Sequence, residues 1–200
     1  MIFDPEVLTK HRLAYLKLRA ISGSSRFYVL NIVRANGRIS VSEIVQKSGI
    51  EQPIVSQHLS VLKKAGFVIA EKQKKEVFYQ INHIEIDKMI RFSRKITNLP
   101  QHESNNLNDN YPEILKAYQN LKYLISRERI ILLEFIEKKQ EISVGALVEL
   151  SSQSQSMVSQ NLGILRNLHF VSFKQDGKSS IYFLNREEIN RYKKALEQEI

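Results

Sequence analysis

The sequence predicts a mainly α-helical chain with small β-hairpins, in which one helix-rich unit is used twice in tandem. Three observations carry that expectation. The string Val55-Ser56-Gln57-His58-Leu59 returns as Val158-Ser159-Gln160-Asn161-Leu162. Around it, Ile39-Ser40-Val41 returns as Ile142-Ser143-Val144, Phe67-Val68 as Phe170-Val171, and Tyr79 and Asn82 as Tyr182 and Asn185. The shift is about 103 positions throughout, with no gap from Arg26/Arg129 to Asn82/Asn185. Finally, each copy carries helically spaced apolar residues and, late in the copy, two β-prone runs around a short tip.

Each copy opens with a helix. Pro5-Glu6-Val7-Leu8 matches Pro112-Glu113-Ile114-Leu115, and a proline followed by an acidic residue suits a first turn. The apolar stripe is Ile114, Tyr118, Leu121 and Ile125 in the second copy, and a wider face from Val7 to Leu18 in the first. The shift here is about 107, so the first copy holds about four extra residues, expected in a loop around Ser22-Gly23-Ser24-Ser25.

A second helix is expected from Ser25 to Ala35, ended by Asn36-Gly37. A short helix follows from Val41 to Lys47, with Ser40 and Glu43 in capping-box spacing. Ser48-Gly49-Ile50-Glu51 turns into a helix over 52–65, which Gly66 ends. The strands Phe67 to Glu71 and Val77 to Ile81 flank the tip Lys72-Gln73-Lys74-Lys75-Glu76, where the second copy has the stronger hairpin signal Asp176-Gly177. A last helix runs from Ile84 to Ile96, matched from Glu187 onward. The polar, Asn-rich stretch at 98–110 reads as a linker, giving domains at 1–97 and 111–200.

On the 52–65 helix, Val55, Leu59 and Leu62 share one narrow face and belong to the core. Gln57, Ser60 and Lys64 lie opposite, with Pro53 and Ser56 toward the edge and Gln52 at the start. Short hydroxyls and amides there suit base edges in a major groove, since Gln pairs with adenine and Ser with several groups. A merely solvated surface would favour Glu and Lys over Ser and Gln. Lys63, Lys64, Lys72, Lys74 and Lys75 suit phosphates, which give affinity rather than sequence information. The second copy keeps Gln155, Ser156, Ser159 and Gln160, with Arg166 and Lys178 as its basic groups. Its phosphate-binding equipment is reduced, because Lys64 becomes Asn167 and Asp176 enters the tip. That copy either touches DNA or serves as a built-in dimerisation partner.

The run from Gln52 to Val68 resembles the recognition-helix signature of ArsR-type winged helix-turn-helix repressors, and Val77 to Asn82 resembles the second wing strand of that family. The resemblance implies two tandem winged-helix domains in a transcription regulator that binds double-stranded DNA and pairs through first and last helices. Two departures matter. Such proteins usually carry one domain and form homodimers, whereas two copies here allow an intramolecular pseudo-dimer, with a homodimer of chains as the competing arrangement. Metal-sensing relatives use Cys or His/Asp clusters, but only Glu43 and Gln46, and His83, Glu85 and Asp87, stand at the corresponding places. No metal and no cofactor is therefore expected.

Composition supports an anionic partner. The formal net charge is +9, and the excess sits in residues 1–100, with roughly 17 basic against 8 acidic side chains. The absence of cysteine excludes disulfides and thiolate metal sites. No signal peptide or membrane span is expected, so a cytoplasmic protein is the default. His58 falls at the edge of the core face and reads as a packing residue. Enzyme activity is not expected, since neither a phosphate-cradling glycine loop nor a nucleophile–base set is present. The alternative to DNA reading is a winged-helix module that binds protein.

Overall fold

The computed structural model describes residues 4–97, 104, 106–124, 126–177 and 179–200. The elements run α1 (Pro5–Ser22), α2 (Ser24–Asn36), β1 (Arg38–Ser40), α3 (Val41–Ser48), α4 (Gln52–Lys64), β2 (Val68–Gln73), β3 (Glu76–Ile81) and α5 (His83–Thr97). The order then recurs as α6 (Tyr111–Leu124), α7 (Arg127–Lys139), β4 (Glu141–Ser143), α8 (Val144–Ser151), α9 (Gln155–Asn167), β5 (Val171–Asp176), β6 (Ser179–Leu184) and α10 (Arg186–Glu199). The fold is a winged helix-turn-helix, and both halves share the sheet orders β1-β3-β2 and β4-β6-β5.

Two expectations need correction. The sequence reading lacked β1 and β4, which pair antiparallel with β3 and β6. Three-residue strands are too short to show alternation, and only pairing to a distant strand creates them. The four extra residues of the first copy also form no loop. Helix α1 has 18 residues against 14 in α6, and Gly23 alone separates α1 from α2. Ser22 and Ser24 look like loop residues by composition, yet Ser22 Oγ simply donates to the Arg19 carbonyl at the helix end.

The described chain divides into two compact units. One comprises residues 4–13, Gln119–Gln198 and Ile200, and the other Ala14–Tyr118 and Glu199. Neither follows the composition boundaries at 97/98 and 110/111, and most of the 98–110 stretch lies outside the described residues. Each unit takes the core of one repeat plus a short helical segment from the other.

In the unit around the first repeat, Val29, Leu30, Val33, Ile44, Val55, Leu59, Leu62, Phe67, Met89 and Phe92 are buried. Phe27 stacks on Tyr111 at 3.7 Å between ring centroids, and the Tyr111 hydroxyl donates to the Ser22 carbonyl at 2.9 Å. Glu199 accepts from Arg91 Nε at 3.0 Å and pairs with Lys95 Nζ at 2.6 Å. In the unit around the second repeat, Leu132, Leu133, Ile136, Leu147, Val158, Leu162 and Leu165 form the corresponding core. There His11 is 3% exposed and hydrogen-bonds with the Tyr192 hydroxyl, whose ring meets Phe170 edge-on at 5.5 Å.

Backbone conformation repeats with the sequence. Left-handed φ values occur at Gly37, Gly49, Gly66 and Lys74 (68°, 67°, 85°, 55°), and again at Gln140, Ser152, His169 and Gly177 (67°, 55°, 61°, 58°). At 66 and 169 the reason is the helix exit. The Phe67 N–H donates to the Leu62 carbonyl and the Gly66 N–H to the Lys63 carbonyl, and Phe170 and His169 repeat both bonds. This is a Schellman motif, which needs a left-handed residue. His169 adopts it without glycine's freedom, held between the helix end and the buried Phe170 that follows.

Glycine-to-alanine changes should therefore have opposite signs at two sites. Gly66→Ala is expected to lower stability by about 1 kcal/mol, since φ is 85°. Gly163→Ala, inside α9 with open space around a new Cβ, should raise it by about 0.5–1 kcal/mol. Urea unfolding reads both.

Burial holds the His11 pKa down at about 4, against an opposing hydrogen bond with the Leu121 backbone. The unfolded chain then takes up a proton near pH 6.5 that the folded chain refuses. Stability should be constant above that pH and fall by roughly 3 kcal/mol as pH drops from about 6.5 to about 4. Urea midpoints at pH 7 and 4.5 should show that loss, and His11→Gln should reduce it.

Candidate nucleic-acid interface

Helix α3 begins with a complete capping box. Ser40 Oγ accepts from the Glu43 N–H, and the Glu43 carboxylate accepts from the Ser40 N–H at 2.8 Å. The hydrogen bonds that the Ser40 N–H and then the Ser40 hydroxyl donate to it hold the Glu43 carboxyl below its ordinary pKa. The Gly49 N–H closes α3 on the Val45 carbonyl at 2.9 Å, with Gly49 left-handed, and the Ile50 N–H donates to Ser48 Oγ at 3.1 Å. The chain turns through Glu51 into α4, whose Ile54 and Val55 N–H groups donate to the Glu51 carbonyl. Pro53 stands in the first turn, where its missing N–H costs no helical bond.

Orientation of α4 follows from three residues. Val55, Leu59 and Leu62 are completely buried against a core shared with α2 and α3. Their burial turns the opposite face outward. Gln52, Pro53, Ser56, Gln57, Ser60, Lys63 and Lys64 are all exposed. Beside it, β2 and β3 pair in register from Val68↔Ile81 to Gln73↔Glu76, leaving Lys74 and Lys75 as a two-residue tip. Lys72, Lys74 and Lys75 are exposed, and none of these five lysines takes part in an ion pair among the described residues.

Other basic groups are committed. The Arg38 guanidinium lies 3.8 Å from the centroid of the Phe78 ring, donates to Gln73 at 2.9 Å and approaches Glu71 at 3.7 Å. Arg26 donates to the Ala20 carbonyl at 2.9 Å and the Arg19 carbonyl at 3.0 Å. His58 is half-buried with Nε2 unpartnered, and burial, aided by the nearby Arg26 charge, lowers its pKa.

The second copy exposes Gln155, Ser156, Ser159, Gln160 and Arg166 on α9, while Lys178 lies outside the described residues. Ser154 caps this helix by accepting from the Met157 N–H, which Glu51 does not do for α4. Its wing charges are reversed and paired. Where the first copy has Arg38 and Glu71, the second has Glu141 and Lys174, 2.6 Å apart. At the position of His58 stands Asn161, which accepts from Arg129 at 2.9 Å and donates to Gln153 at 3.2 Å. Arg26 bonds to backbone carbonyls rather than to His58, whereas its counterpart Arg129 bonds to Asn161.

Sequence reasoning passed over Ile54 and Met157, which hold equivalent places on α4 and α9 and are 41% and 45% exposed. The helical wheel could have found them, since both lie beside Gln57 or Gln160 and away from the buried stripe. Among the described residues no group of three or more His, Asp or Glu could hold a metal ion, and no helix is long and apolar enough to cross a membrane.

This arrangement defines a winged helix-turn-helix of the bacterial regulator type. Residues 23–70, from the start of α2 into β2, match the model of the bacterial regulatory proteins of the arsR family. An HTH-type transcriptional regulator from Methanocaldococcus jannaschii is 31% identical over 84 residues, covering 42% of this chain and 94% of the relative. The chain belongs to the arsR family. The HTH-type transcriptional repressor SmtB of Mycobacterium tuberculosis is 39% identical over 64 residues, 32% of this chain and 47% of its own length. The transcriptional activator HlyU of Vibrio cholerae is 29% identical over 83 residues, 42% of this chain and 76% of its own. The match thus spans about half of SmtB but most of the other two.

Lys74 occupies a left-handed tip position that Gly177 fills in the second copy. Lys74→Gly should therefore raise stability slightly, by roughly 0.5 kcal/mol after the entropic cost of glycine. A urea midpoint lower than that of the unaltered chain would contradict the assignment of strain to this tip.

Proposed function

We propose that the protein is a sequence-specific transcription regulator, a repressor, that reads double-stranded DNA with the 52–65 recognition helix and the 67–82 wing. One observation carries the reading: α4 turns a Ser/Gln face outward in the same unit as a wing whose tip lysines form no ion pair among the described residues. Gln52, Pro53, Ser56, Gln57 and Ser60 approach base edges, and Lys63, Lys64, Lys72, Lys74 and Lys75 bind phosphates. A lysine kept at a strained tip position favours a role for its charge.

The second copy acts as an intramolecular pseudo-dimer partner. In support, each compact unit includes a helical segment of the other repeat. The face formed by Gln155, Ser156, Ser159, Gln160 and Arg166 offers a second reader with fewer phosphate contacts. Light scattering should give a mass near the 23.3 kDa of one chain, and twice that mass would replace the pseudo-dimer by a homodimer of chains.

The test is a salt titration of binding to random and to selected duplexes. Steep salt dependence on both, with tighter binding to the selected duplex, is expected. Lys74→Ala or Lys75→Ala should weaken binding similarly on all sequences and flatten the salt slope by about one. Gln57→Ala should alter sequence preference. Salt-insensitive binding, or stoichiometric capture of a protein partner that needs none of these lysines, would favour a protein-binding module.

A further inference from the structure

Resting on the DNA-reading function above, we infer that Ile54, and Met157 at the equivalent place, read the C5-methyl group of thymine in the major groove. Each is a large apolar residue in the first turn of its helix, 41% and 45% exposed, in a face otherwise made of Gln, Ser and Pro. Helix propensity does not explain Ile54, because a β-branched residue is a poor choice for an exposed helical site. Packing does not explain it either, since Val55, Leu59 and Leu62 already supply the buried stripe. By helical arithmetic Ile54 lies about 60° from Gln57 and one turn before it.

Chemistry selects the ligand group. In the major groove a thymine offers an apolar methyl beside its acceptor, and the paired adenine offers the N6/N7 edge that glutamine matches. An isoleucine and a glutamine one turn apart fit the two partners of A·T pairs, or of neighbouring pairs, the isoleucine meeting the methyl and the glutamine the adenine edge. The same pairing of apolar residue and amide recurs as Met157 and Gln160. Met157 is longer and unbranched, so the two copies should tolerate different methyl positions, and the preferred site should have related but unequal halves.

The experiment uses the full chain and the duplex it selects from a random pool, with each thymine replaced in turn by deoxyuridine, which removes only the methyl. Expected is a weakening of about fourfold at one or two positions, the worth of one buried methyl. Ile54→Ser should lose that discrimination at its position, whereas Ile54→Val should keep it. Circular dichroism should show that Ile54→Ser is folded, because the side chain lies outside the buried stripe of Val55, Leu59 and Leu62. Equal affinity for thymine and deoxyuridine duplexes, or the same methyl dependence in Ile54→Ser, overturns the inference while leaving DNA reading intact. Failure to select any preferred duplex overturns both.

Discussion

Burial of Val55, Leu59 and Leu62 is the constraint on which the site depends. Three completely buried aliphatic side chains stabilise the docked helix by roughly 5–9 kcal/mol relative to exposure, more than any hydrogen bond in the neighbouring turn contributes. That stripe spans two turns and is narrow, so it fixes the rotation of α4 as well as its position. Everything polar on the helix is then forced outward, including Gln57 and Ser60. The capping box of α3 and the left-handed Gly49 do a smaller job, setting where α4 begins. The Schellman exit at Gly66 does the same for the wing.

The two repeats show what this architecture requires and what it tolerates. Left-handed backbone recurs at four equivalent positions, with glycine at three of them in the first copy and one in the second. Gln140 and His169 hold the conformation next to the β4–β6 pairing and the buried Phe170, and Ser152 holds it at the exit of α8. The surface diverges more freely. Arg38 and Glu71 exchange signs to become Glu141 and Lys174, which preserves a pair and leaves its net charge unchanged. His58 and Arg26, which bonds instead to the Ala20 and Arg19 carbonyls, become the joined pair Asn161 and Arg129, so α9 is tied directly to α7.

How the repeats combine into units is less regular than their internal structure. Tyr111 stacks on Phe27 and bonds to Ser22, and His11 is enclosed with Tyr192. These aromatic and buried polar groups give the short α1 and α6 segments specific places, where apolar burial alone would leave their register loose. The exposed Ile54 and Met157 follow a different logic, since both lie outside the buried stripes of their helices.

The sequence by itself determined the repeated unit, the helix-turn-helix with its wing, the buried stripe of α4 and the outward position of every described candidate residue. Those features rest on local periodicity, capping and turn chemistry, which neighbouring residues encode. Tertiary structure alone decided the strands β1 and β4, the lengthening of α1 where a loop was expected, and the compact units that cross the repeat boundary. It also decided that Arg38 is committed while Lys72, Lys74 and Lys75 form no ion pair among the described residues. Strand pairing, aromatic stacking and ion pairing join residues far apart in the chain, so no local window of sequence contains their energy.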